Sequence, residues 1–167
     1  MDKIDSQRRA TEYCEKAGVS PEFGSLLGTG QEGFVWQTDE NSAIKVYDRK
    51  SNFDREIACY SLLQFHGVNE IDGFAIPELL GDDEDLRVIE LSIVSPPYLL
   101  DFGKAYVHQR PEFDQATLDQ DEEIRSELFG ENWGMVQSAI WSLESYGIFY
   151  MDARPGNIDC TDHPDAV

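Results

Sequence analysis

The chain has 167 residues and a formal net charge of −20, from 13 Lys+Arg against 33 Asp+Glu. That length suits one domain, or a small domain with an appended subdomain, and a 41% hydrophobic content with 9 Phe, 7 Tyr and 3 Trp argues for a packed core rather than a disordered chain. So acidic a surface repels phosphate backbones and anionic lipid, which excludes nucleic acid and membrane as partners, and no apolar run reaches membrane-spanning length.

In chain order, residues 5–17 carry a helical pattern that ends at Gly18, ahead of Ser20-Pro21. Residues 23–36 are β-like and broken by glycines. Residues 35–38 and 43–47 flank the polar turn Asp39-Glu40-Asn41-Ser42, which predicts a hairpin. Asn52 can cap a helix over 53–63, with Gly67 beyond its end. Residues 76–80 predict a short strand, 81–85 a turn, and 86–94 a longer strand that Pro96-Pro97 ends. Residues 111–131 hold eight acidic residues and one arginine with little apolar periodicity, and read as a loop or a loosely held helix. Asn132 can cap a helix in which Val136, Ala139, Ile140, Leu143 and Tyr146 share one face; Gly147 stops it, and 148–151 predicts one more strand. Strands and helices are segregated rather than alternating, which argues for α+β.

The charge is unevenly spread. Residues 1–60 hold 8 Lys+Arg against 11 Asp+Glu, and residues 61–167 hold 5 against 22. This is read either as solubility alone or as a face for a basic protein partner. The first sixteen residues are polar and lack the apolar centre of a signal peptide. Cys14, Cys59 and Cys160 are odd in number and form no CxxC pair, so a reducing cytoplasm is the expected compartment.

Gly28-Thr29-Gly30-Gln31-Glu32-Gly33 fits GxGxxG. A dinucleotide-binding loop needs a helix after it, whereas Phe34-Val35-Trp36-Gln37-Thr38 is β-like, and no GK[ST] marks a Walker loop. Two readings stay open: an ordinary glycine-rich hairpin turn, or a turn whose backbone N–H groups approach nucleotide phosphates without Cβ obstruction. Lys45 lies on the second strand of the following hairpin and can pair with phosphate oxygens, and Glu56 on the next helix can orient it. Alone, Lys45 also reads as a solvent-facing strand residue, and Glu56 as part of a polar helix face beside Asp54 and Arg55.

Taken in order, these segments resemble the protein-kinase-like superfamily. Residues 28–35 match its GxGxxGxV loop, Ala43-Ile44-Lys45 its AxK motif, and Arg55-Glu56-Ile57 the glutamate-bearing segment of its αC helix. Arg87-Val88-Ile89-Glu90-Leu91 looks like the strand entering the hinge, and Asp152-Ala153-Arg154-Pro155-Gly156-Asn157 matches the DxxxxN catalytic loop. Tyr150-Met151 stands where His-Arg is usual, and the Pro-Gly-Asn run is closer to small-molecule and atypical bacterial kinases. The metal-binding DFG motif is expected after a further strand. Asp101-Phe102-Gly103 spells it but comes some fifty residues before the catalytic-type loop, and is read as connector.

The resemblance implies an N-terminal helical extension (1–21), a kinase-like small lobe (22–95), and a connector, acidic segment and truncated large lobe (96–167). It implies ATP and Mg²⁺ as cofactors. Gly28, Gly30 and Gly33 would cover the phosphates, with Leu27, Val35 and Ala43 over adenine and the backbone near Glu90 and Leu91 at its edge. Lys45 would hold the α/β-phosphates, oriented by Glu56. Asp152 would accept or orient the acceptor hydroxyl, Arg154 would neutralise the γ-phosphate, and Asn157 would hold Mg²⁺, with Asp159 or Asp162 as the substitute second ligand. Three readings follow: an ATP-dependent phosphotransferase acting on a small molecule or a protein hydroxyl, its own included; a nucleotide-binding pseudokinase; and an interaction module that presents its acidic face to a basic partner.

Overall fold

The computed structural model describes residues 2–30 and 32–166. In chain order it runs α1 (Lys3–Ala17), β1 (Pro21–Thr29), β2 (Gly33–Thr38), β3 (Ser42–Tyr47), α2 (Lys50–Phe65), β4 (Glu70–Ile71), β5 (Phe74–Ala75), β6 (Leu79–Asp83), β7 (Val88–Ser92), β8 (Tyr98–Leu99), β9 (Ala105–Val107), α3 (Gln115–Phe129), α4 (Trp133–Ser145), β10 (Ile148–Tyr150) and β11 (Ile158–Asp159). The class is α+β with an antiparallel main sheet. Two compact units result, one of residues 1–61 and 77–93, the other of 62–76 and 94–167. Among the described residues, no helix is long and apolar enough to cross a membrane.

The first unit is built on a five-stranded sheet in the order β1-β2-β3-β7-β6. Alternation along β3 divides its side chains between the two faces. Ile44 and Val46 join Trp36 and Val88 against Ala10, Tyr13 and Cys14 of α1. The helix read as an N-terminal extension therefore covers one face of the sheet. Arg9, buried on α1, donates to the carbonyls of Tyr47 and Leu86 and fixes the helix to the end of β3 and to the turn before β7. On the other face, α2 places Phe53 edge-on to Tyr47, with ring centroids 5.8 Å apart. This helix begins at Lys50, so Asn52 lies inside its first turn rather than capping it.

The second unit holds a four-stranded sheet, β11-β8-β5-β4, and a two-stranded one, β10-β9. Residues 115–129 form a regular helix, because the Asp114 carboxylate caps it by accepting the Thr117 N–H. Only Arg125 and Phe129 of that helix are buried, which is why apolar periodicity could not announce it. On α4, Val136, Ala139, Ile140 and Leu143 form the buried face; Asn132 sits in a preceding 3₁₀ turn without a side-chain cap, and Tyr146 lies just past the helix end.

Candidate functional site

In the first unit, one rung of the sheet carries Gly28, Val35, Lys45, Ile89 and Asp82 side by side. Since Ile44 and Val46 face α1, Lys45 faces α2. There Phe53, Glu56 and Tyr60 lie on one buried stripe at spacings of three and four, so the helix presents a carboxylate among aromatic neighbours. Lys45 Nζ lies 2.7 Å from Glu56 Oε2, with side-chain exposures of 10% and 1%. The ammonium also sits 5.0 Å from the Tyr47 ring centroid. Behind Glu56, burial and then the carboxylate's charge push the Cys59 thiol up to about 12, which leaves it un-ionised and unreactive near neutral pH.

β1 and β2 form the antiparallel pair whose tip holds the glycine run; Gln31 in that run lies outside the described residues. The three glycines differ in what they do. A Cβ on Gly33 would stand 1.9 Å from the Val46 carbonyl oxygen, so close passage of β2 over β3 demands glycine there. At Gly28 the nearest atom to such a Cβ is a Val35 methyl at 3.7 Å, and at Gly30 nothing lies within 4 Å. Neither crowding nor a left-handed backbone requires glycine at those two positions. At Gly30 the space a Cβ would fill is open, while its N–H donates to the Gly33 carbonyl at 3.1 Å and closes the turn. Val35 and Ala43 are half-buried and Leu27 is half-exposed.

Glu90 and Leu91 occupy a different position from the one expected at an adenine edge. They lie in β7, which is paired with β3 on one side and β6 on the other, so their backbone groups belong to the sheet. The Glu90 carboxylate points to the α1 face and accepts from the Tyr13 and Ser42 hydroxyls. Burial, reinforced by Glu90, raises the Tyr13 phenol well above its usual range, so that bond is an O–H donation at any physiological pH. The first backbone groups past the paired strand are those after Ser92.

In the second unit, β10 ends at Tyr150 and β11 begins at Ile158, with the catalytic-type loop between them. Asn157 and Ile158 both donate backbone bonds to the Arg154 carbonyl, which tightens the turn through Pro155-Gly156. This brings Asp152 and Asn157 together. Asn157 Nδ2 donates to the Asp152 carbonyl at 2.9 Å and to its Oδ2 at 3.1 Å. Both bonds use the side-chain nitrogen, and Oδ1 is the Asn157 atom that can serve as a ligand. Arg154 Nη2 lies 3.3 Å from Asp152 Oδ2, and Lys104 Nζ lies 2.9 Å from Oδ1. Arg125 of α3 donates to the Met151 carbonyl at 3.1 Å and anchors the start of the loop.

Lys104 went unnoticed in the sequence, and its position comes from strand pairing. Residues 98–107 run along both ends of the loop. β8 pairs with β11 after it, β9 pairs with β10 before it, and Asp101-Phe102-Gly103 lies between these two pairings. Leu100 N–H donates to the Asn157 carbonyl at 2.8 Å, and the Tyr150 hydroxyl donates to the Leu100 carbonyl at 2.6 Å. Phe102 is fully buried, edge-on to Tyr150 at 5.5 Å. Asp101 takes the left-handed backbone at φ 63° and accepts the Gly103 N–H. The segment set aside on chain order is thus held against the catalytic-type loop.

Asp159 and Asp162 are grouped elsewhere. Asp159 stands opposite Tyr98 and accepts the Thr161 N–H, and both aspartates line an open cleft with Leu128, Phe129 and Ile158. Neither Asp152 nor Asn157 is among the residues lining that cleft.

No protein-family model matches the chain, and no curated protein matches it. Among solved structures it is similar to one described as the streptomycin-ATP-APH(2")-IIa ternary complex, with 12% identity and a TM-score of 0.41. That match covers 80% of this chain and 39% of the other, so this chain spans about two fifths of that protein's length.

Proposed function

We propose that the chain is an ATP-binding, kinase-like protein that transfers the γ-phosphoryl group to a hydroxyl acceptor with Mg²⁺. The observation that carries this reading is the rung in which Gly28, Val35 and Lys45 stand side by side while Glu56 holds the ammonium at 2.7 Å. A buried ion pair is weak evidence for stability, since desolvation offsets much of the attraction. A lysine held rigidly on the rung of an unobstructed glycine is well explained by phosphate binding. Lys45 would meet the α/β-phosphate oxygens, and the turn carrying Gly28 and Gly30, with no side chains in the way, would lie over the phosphates.

The second unit would supply the transfer chemistry. Asp152 would accept or orient the acceptor hydroxyl, and Arg154, half-exposed beside it, would swing its guanidinium onto the γ-phosphate. The Asn157 Oδ1 and the Asp101 carboxylate are the hard oxygen donors that suit Mg²⁺, and we assign the second ligand to Asp101 in place of Asp159 or Asp162. When bound, Mg²⁺ would neutralise charge on the phosphoryl oxygens. A second reading, nucleotide binding without turnover, is favoured by one observation: both Asp152 oxygens already hold partners, Lys104 on one and Arg154 and Asn157 on the other.

Titration calorimetry with Mg-ATP tests the nucleotide reading. Lys45→Met combined with Glu56→Gln removes the cation without leaving a buried carboxylate unpaired. This double variant is expected to bind about 10- to 100-fold more weakly than the wild type, as loss of a charge-assisted contact implies. Absence of both heat and any rise in Tm at millimolar Mg-ATP would contradict the reading, because a ligand of the native state must stabilise it.

A further inference from the structure

The cleft in the second unit has a volume of about 520 Å³ and takes no part in the chemistry above. Phe129 and Ile158, both buried, form apolar wall, and Pro155 adds to it. Leu128 lines the cleft while remaining 51% exposed, and Ile124, one turn earlier on α3, is 49% exposed. An apolar stripe therefore leads along the helix into a cavity, half-exposed among the described residues.

The charge around this stripe is of one sign. α3 carries Asp119, Asp121, Glu122, Glu123 and Glu127, and its one cation, Arg125, is turned inward and paired with Asp121. On the opposite side, residues 158–166 hold Asp159, Asp162 and Asp165 with no Lys or Arg. A second copy of so acidic a chain, a nucleic acid or an anionic membrane would meet repulsion here. A cationic partner would gain both long-range steering and local pairing.

We propose that this cleft docks a basic amphipathic helical segment of another protein. One large apolar side chain of that helix enters the cleft beside Leu128 and Ile158, and the next turn packs on Ile124. Lysines or arginines flanking the apolar stripe meet Asp159, Asp162 and the acidic side of α3. Apolar anchors set the register in such grooves, and charge complementarity selects the partner. The proposal is independent of nucleotide binding.

Fluorescence anisotropy with a labelled model peptide tests it. One peptide places leucines at helical i, i+3, i+4 and i+7 spacing among lysines, and a second has the same composition scrambled so that no stripe forms. The patterned peptide is expected to bind at least about tenfold more tightly than the scrambled one. Leu128→Ser, and separately Asp159→Asn with Asp162→Asn, should each weaken it by about tenfold. Asp82→Asn with Asp85→Asn makes the same charge change at exposed positions in the first unit and should leave binding within about twofold. All these variants are at exposed or half-exposed positions, and circular dichroism melts establish that each is folded. Equal binding of the two peptides, or equal losses from the two aspartate pairs, would reduce the effect to bulk charge and overturn the proposal. Self-association of the chain without peptide binding would assign the cleft to a second copy and overturn it as well.

Discussion

Glu56 is 1% exposed, beside buried Phe53, Cys59 and Tyr60 on α2, and Lys45 supplies the opposite charge at 2.7 Å. Removing one partner of such a pair leaves an uncompensated buried charge, and Lys45→Met alone is expected to lower stability by about 3–5 kcal/mol in urea unfolding. Lys45→Met with Glu56→Leu should recover most of that loss while abolishing phosphate binding. A lysine that served stability alone would not show this separation. The glycines divide in the same way. Gly33→Ala forces a Cβ against the Val46 carbonyl and must displace β2 or β3, whereas Gly30→Ala meets nothing in the chain. The first change is therefore expected to reduce Tm sharply, and the second to leave Tm nearly unchanged while weakening ATP binding.

Among the elements, those with apolar periodicity or turn residues could be read from sequence, and those without could not. The β2–β3 hairpin, α1 and α4 announce themselves through periodicity and turn residues. α3 does not, because it buries only two side chains, Arg125 and Phe129, and its remaining apolar residues are exposed among polar and acidic ones. β8, β9 and β11 span two or three residues each, too few for any alternation to register. Yet these strands decide what lies beside the catalytic-type loop. Asp101-Phe102-Gly103 could be seen in the sequence, and its distance along the chain argued against a role. Pairing between residues 98–107 and strands some fifty residues later is a tertiary fact that no local pattern encodes. Glu90 teaches the same lesson: its segment reads as a hinge-bound strand, but only the sheet order shows its backbone paired on both sides.

The turn joining β6 to β7 allows a test at this scale. Asp83 accepts the Leu86 N–H at 2.9 Å and pairs with Lys16 of α1 at 3.0 Å. The Leu86 N–H first, and Lys16 after it, hold its carboxyl below the usual value of 3.8. A depressed folded-state pKa means the stabilisation is present above the unfolded value and is lost as pH falls through the folded one. Asp83→Asn is accordingly expected to cost about 0.5–1 kcal/mol at pH 7, with the difference from wild type shrinking below about pH 4. Denaturant unfolding at the two pH values measures it.

At the scale of the whole molecule, the candidate chemistry is divided between two units that are both acidic. The sheet unit carries Lys45, Glu56 and the glycine turn, and its residues 1–61 and 77–93 hold 9 Lys+Arg against 17 Asp+Glu. The other unit carries Asp101, Lys104, Asp152, Arg154 and Asn157, and its residues 62–76 and 94–167 hold 4 Lys+Arg against 16 Asp+Glu. Within that acidic background, Lys104 and Arg154 are the cations gathered at Asp152. Local positive charge at a generally negative surface is what an anionic phosphoryl group requires, and it limits affinity to sites where the cations are placed by structure.

The central claim is that Asp152 and Asp101 act on one phosphoryl transfer, Asp152 at the acceptor and Asp101 at the metal. Transfer and hydrolysis of γ-labelled ATP across a Mg²⁺ titration, in the wild type, Asp152→Asn and Asp101→Asn, tests it most directly. The predicted result is turnover in the wild type that falls by at least about 100-fold in each variant, with ATP still bound by Asp152→Asn and the Mg²⁺ requirement of Asp101→Asn displaced to higher concentration. Wild-type turnover no faster than that of Asp152→Asn, or a Mg²⁺ dependence that Asp101→Asn leaves in place and Asp159→Asn or Asp162→Asn removes, would contradict it.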